Sequence, residues 1–96
     1  MKRFYFTFGS SAKMPFIGGW VEIVARDLKQ AALAFKRIYP NPLDDEVLNC
    51  SDYYTEEEFV KSGMIEENFK KRCHAIIIVN DFFNDIPKSF GVFSLE

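Results

Sequence analysis

The sequence predicts a small α+β domain in the order β-β-α-β-α-β, with a mostly antiparallel sheet and helices packed on one face. Three observations predict it. Residues 3–8 alternate apolar and polar side chains, as a half-buried strand does. Residues 27–40 carry the caps and the apolar spacing of one amphipathic helix. Of the 96 residues, 48% are hydrophobic and 17% aromatic, and each large ring buries roughly 150–250 Å², enough for one core. A single domain over 1–96 follows, with residues from about 80 onward as an irregular tail packed on it.

The first strand places Phe4, Phe6 and Phe8 on one face and Arg3, Tyr5 and Thr7 on the other. Residues 9–19, Gly-Ser-Ser-Ala-Lys-Met-Pro-Phe-Ile-Gly-Gly, are a loop rich in turn formers. Trp20 to Ala25 resumes the alternation, with Val21, Ile23 and Ala25 opposed to Trp20, Glu22 and Val24. The two strands are expected to pair antiparallel across a connection longer than most hairpins use.

Asp27 is placed to N-cap the helix that follows, and Gln30, three residues on, completes a capping box. Leu28, Ala31, Ala32, Phe35, Ile38 and Tyr39 form its apolar stripe. Lys36 and Arg37 suit the negative end of the helix dipole, and Pro40 and Pro42 stop the helix.

Val47 to Tyr54 reads as a strand, and Thr55 with Glu58 as a second capping box opening a short helix that Gly63 ends. Ile65 and Phe69 predict a further helical turn between Met64 and Arg72, with Lys70, Lys71 and Arg72 at its C-terminal end. Ala75 to Val79 is a continuous apolar run, expected to be buried on both faces. The tail holds Phe82, Phe83, Phe90 and Phe93, with an edge strand expected at Phe90 to Leu95.

The net charge of −2 is unevenly spread. Residues 1–40 hold seven basic and two acidic residues, whereas residues 41–69 hold nine acidic residues against Lys61 alone. A general nucleic-acid binder is basic along a face, so that class is disfavoured. No apolar run approaches the roughly 18 residues of a membrane span, and the N-terminus lacks a signal-peptide core. With two cysteines, the expectation is a reducing, cytoplasmic setting.

Two polar constellations stand out. In the first, Gly9, Gly18 and Gly19, the hydroxyls of Ser10 and Ser11, and Lys13 are the parts from which phosphate cradles are made: exposed backbone N–H groups and a point charge. Phe8, Phe16 and Trp20 flank this loop. The second is Asn49-Cys50-Ser51-Asp52-Tyr53-Tyr54, where Tyr54 offers another ring. The plainer readings are a hairpin loop with glycines for turn geometry and a small buried cysteine.

Catalysis is not expected. A cysteine nucleophile needs a base, and nothing in the sequence places His74 beside Cys50. Cys50, Cys73 and His74 are three ligands without the paired spacing of a structural zinc site, so neither metal nor cofactor is expected. The adjacent pairs Asp44-Asp45 and Glu66-Glu67 lie in polar segments, without the burial that acid–base work needs.

The run Phe6-Thr7-Phe8-Gly9-Ser10, with Pro15-Phe16 and Gly19-Trp20-Val21-Glu22, resembles a family of small phage and prophage proteins of Firmicutes. Ala31, Phe35, Tyr39-Pro40, Leu48-Asn49-Cys50-Ser51, Tyr54-Thr55-Glu56-Glu57-Glu58-Phe59 and Cys73-His74 continue the resemblance. It implies an accessory protein acting in an infected bacterial cytoplasm, antagonising host defence by stoichiometric binding. In one form it sequesters a nucleotide-like signal through Phe8, Gly9, Ser10, Ser11, Lys13, Gly18, Gly19, Trp20 and Tyr54, at a site expected on a homo-oligomer interface. In the other it binds a defence complex directly, using the acidic Asp44, Asp45, Glu46, Glu56 and Glu57. A small enzyme and a structural phage component are the remaining alternatives.

Overall fold

The computed structural model describes residues 1–44, 46–64 and 73–79 in full, and the backbone of 90–94. The α+β class holds. Five strands, β1 (Lys2–Thr7), β2 (Trp20–Ala25), β3 (Asp52–Thr55), β4 (Cys73–Val79) and β5 (Phe90–Ser94), form one sheet in the order β3-β1-β2-β4-β5. β1 pairs antiparallel with both β2 and β3, and β4 with β5, but β2 and β4 run parallel. The sheet is therefore mixed rather than mostly antiparallel. The further turn predicted after Met64, the Lys70–Arg72 cluster, Asp45, Glu66-Glu67 and the tail phenylalanine side chains lie outside the described residues.

The first helix, α1 (Leu28–Ile38), starts where Asp27 Oδ1 accepts the Gln30 N–H at 2.8 Å. The Gln30 side chain reaches back one residue further than a capping box does, accepting the N–H of Arg26 at 2.7 Å. Its buried stripe runs through Gln30, Ala31, Ala34 and Phe35, while Leu28 stays more than a third exposed. The second helix, α2 (Glu56–Ser62), has the full predicted capping box between Thr55 and Glu58 and ends at Gly63 in the left-handed region.

The helices lie on opposite faces of the sheet, which corrects the one-face expectation. Phe35 of α1 stacks on Phe6 with ring centroids 4.5 Å apart, above a core that includes Phe4, Phe8, Val21, Ile23, Ala75, Ile77 and Val79. Phe59 of α2 packs instead on Tyr5, Trp20 and Cys73, from the other side. Topology supplies the reason. β2, β3 and β4 are mutually parallel, and α1 carries the chain from β2 out to β3, while α2 begins the return towards β4. Two crossovers that run in opposite directions between parallel strands share the favoured hand only if they cover opposite faces.

The second face also buries polar groups. Glu22 is 1% exposed, bridged to Arg3 Nη1 at 3.4 Å and directly opposite Tyr5 in the β1–β2 ladder. Burial, together with Glu22, pushes the Tyr5 phenol well above its ordinary range. β4 departs from the two-sided burial expected of it: Ala75, Ile77 and Val79 are buried, whereas Ile78 is 42% exposed.

β3 is shorter than the predicted Val47–Tyr54 strand, because the chain before it folds on itself. Asn41 Oδ1 accepts the N–H groups of Leu43 and Asp44, and Asp44 Oδ1 accepts that of Glu46. β3 is an edge strand closed by one carboxylate of its own and one from the first turn of α2. Tyr53 donates its N–H to Asp52 Oδ1 at 2.8 Å and Thr55 donates to Glu58 Oε1 at 2.9 Å. Backbone donors that would otherwise invite a foreign strand are thereby occupied.

Candidate functional site

The two polar constellations, some forty residues apart in sequence, meet. Gly9, Ser10, Ile17, Gly18 and Gly19 from the loop face Thr7, Ser51, Asp52 and Tyr54 from β1 and the start of β3, with Trp20 and Met64 completing the lining. They enclose a cleft of about 600 Å³, within the range of small-molecule sites. One chain provides all of these groups.

The loop is held by hydrogen bonds that turn its carbonyls inward. Gly9 O accepts the Gly18 N–H, Gly19 O accepts the Phe8 N–H at 3.2 Å, and Gly18 O lies 2.8 Å from His74 Nε2. A carbonyl only accepts, so Nε2 carries a proton in that contact. The His74 ring also stacks on Phe16, with centroids 4.0 Å apart and planes 6° from parallel. A register shift between Trp20 and Val21 in the β2–β4 ladder aligns Trp20 with Cys73 and Val21 with Ala75, which leaves His74 as the extra residue of β4.

Gly9, Gly18 and Gly19 all have positive φ, between 64° and 75°. Gly9 is constrained a second time, since a Cβ there would lie 3.3 Å from Ser51 Oγ. The contact between loop and β3 therefore needs the smallest residue. Ser51 closes it from its side by donating its N–H to Thr7 O at 2.7 Å. Asp52 is exposed, and its carboxylate takes a hydrogen bond from the Tyr53 N–H at 2.8 Å.

Of the expected ligand contacts, Gly9, Ser10, Gly18, Gly19, Trp20 and Tyr54 do line the cleft. Phe8 is fully buried in the core, which takes it out of reach of any ligand. Trp20 is 2% exposed, its ring edge-on to Phe59 at 4.9 Å, so it cannot stack a base. Phe16 is likewise committed to His74. Ser11 and Lys13 are not in the lining: Ser11 Oγ accepts the Lys13 N–H, making a turn further out on the loop. Thr7, Ile17, Ser51, Asp52 and Met64 were missed as site residues. The polar character of the 49–54 segment was visible in sequence, but its partner across the cleft was not.

The acidic residues are mostly engaged within their own segments. Asp44 holds its turn and Glu57 pairs with Lys61 at 3.1 Å. Glu58 serves the capping box, and both Glu46 and Glu56 are exposed.

Burial, with Asp52 nearby, pushes the Cys50 thiol up to about 11. Burial, with Glu22, does the same to Cys73. Both remain protonated thiols at neutral pH, the less nucleophilic form. Among the described residues, no group of three or more His, Cys, Asp or Glu is placed to hold a metal ion. No helix among them is long and apolar enough to cross a membrane. Compared with protein-family models, curated proteins and solved structures, the chain matches none.

Proposed function

We propose that the protein acts by stoichiometric binding, holding a nucleotide-like small molecule in the cleft between the Gly9–Gly19 loop and the start of β3. The meeting of these two segments around about 600 Å³ is the observation that carries the reading. The carbonyls of Gly9, Gly18 and Gly19 are engaged within the fold rather than turned on a ligand, and Tyr54 supplies a ring beside them.

The resemblance to small phage proteins supplies the setting for this proposal. Removing a nucleotide-derived signal from an infected bacterial cytoplasm blunts the defence that depends on it.

A thermal-shift series with linear and cyclic mono- and dinucleotides tests the reading. A ligand present at a hundred times its Kd adds about 2.7 kcal/mol of stability, a clear rise in melting temperature. No shift with any of them at millimolar concentration overturns the nucleotide reading.

A further inference from the structure

Asp52 is the one charged side chain among the described residues that line the cleft. It is also fixed in place. The Tyr53 N–H reaches its Oδ1 at 2.8 Å. A carboxylate has about four acceptor positions on its two oxygens, so about three remain for a ligand. The neighbouring acceptor is used elsewhere in the fold, since Asp52 O accepts the Thr7 hydroxyl at 3.3 Å. The carboxylate is thus the charged group that this side of the cleft brings to a ligand.

A negative charge here repels a phosphate and attracts hydrogen-bond donors. A carboxylate accepts best from two adjacent donors, and a nucleotide carries two such arrays: the N–H edge of guanine and the vicinal hydroxyls of ribose. The opposite wall, built from Gly9, Gly18 and Gly19, carries no charge.

We propose that Asp52 is the specificity-determining residue of this cleft, taking a paired-donor group of the ligand and directing the phosphate end towards the glycine wall. The assignment rests on the nucleotide reading above and adds an orientation and a donor requirement to it.

Isothermal titration with guanosine 5′-monophosphate, 2′,3′-dideoxyguanosine 5′-monophosphate and adenosine 5′-monophosphate tests it on the intact chain, alongside Asp52→Asn and Asp52→Ala. Wild type is expected to bind guanosine 5′-monophosphate, and both variants to bind it roughly tenfold or more weakly, the size of a lost charge-assisted contact. Weakened binding of the dideoxy analogue assigns Asp52 to the ribose, and weakened binding of the adenine nucleotide assigns it to the base. Unchanged affinity in both variants overturns the assignment and leaves the nucleotide reading intact. So does equal affinity of wild type for all three nucleotides, a measurement that does not depend on either variant folding. Failure of wild type to bind any of the three overturns the assignment, and the thermal-shift series then decides the nucleotide reading separately.

Discussion

His74 of β4 and Phe16 of the glycine loop lie ring on ring, 4.0 Å between centroids, while His74 Nε2 meets Gly18 O at 2.8 Å. A single side chain from the last quarter of the sequence therefore fixes the returning arm of a loop that begins at residue 9. His74→Ala removes a stacking contact of about 0.5–1.5 kcal/mol and a hydrogen bond of similar net value, roughly 0.5–1.5 kcal/mol. The expected outcome is a loss of about 1–3 kcal/mol in urea unfolding, with faster amide exchange over residues 9–19 than over β1 and β2. Exchange rates that rise equally everywhere would contradict the local role.

Phe59 is the buried residue of α2, stacked on Tyr5 at 4.1 Å and edge-on to Trp20 at 4.9 Å. Phe59→Ala should cost about 3–5 kcal/mol, the range for emptying a large aromatic site. Trp20 is the sole tryptophan, so its fluorescence reports the change directly. A red shift in emission is expected as water reaches the indole, and an unshifted spectrum would place the packing elsewhere.

Gly9→Ala tests the contact that closes the cleft. The new methyl meets Ser51 Oγ at 3.3 Å and forces an L-residue into the left-handed region, a strain of roughly 1–2 kcal/mol. Pairing it with Ser51→Gly relieves the contact but not the strain. Recovery of only part of the lost melting temperature is expected in the double variant.

Acid should weaken both helix starts. The Gln30 N–H, with help from Arg26, holds the Asp27 carboxyl below its ordinary value, and the Thr55 N–H and hydroxyl do the same for Glu58. A carboxyl depressed in the folded state contributes stability above its unfolded pKa. That contribution disappears as pH falls through the folded value. The window lies below about 4.5, the ordinary range of the two groups. Asp27→Asn and Glu58→Gln should flatten the acid limb of a melting-temperature profile between pH 5 and 2. Variants that decline as steeply as wild type would assign the acid loss to other carboxyls.

Local signals in the chain carried much of the fold. The alternation of Phe4, Phe6 and Phe8 set the face of β1, and the Thr55–Glu58 box and Gly63 bounded α2, because each of these features is decided within a few residues. What could not be read locally depended on distant partners. Trp20 looked like an open ring beside glycines until Phe59 came to cover it. The side of the sheet taken by α2 followed from the order in which strands are added, a property of the whole path. Val47, Leu48 and Cys50 had the composition of a strand, yet the turns at Asn41 and Asp44 left no straight segment for them. Half of the cleft was found for the same reason that half was missed: the glycine loop announces itself, and the face it meets does not.

The sheet order has a consequence for biosynthesis. β1 and β2, complete by residue 25, form the hairpin on which β3 is added at one edge and β4 at the other. A two-stranded hairpin is marginally stable alone, and the loop of this one is held by His74, which is made later. The pair is therefore secured only as β3 and β4 close on its two edges.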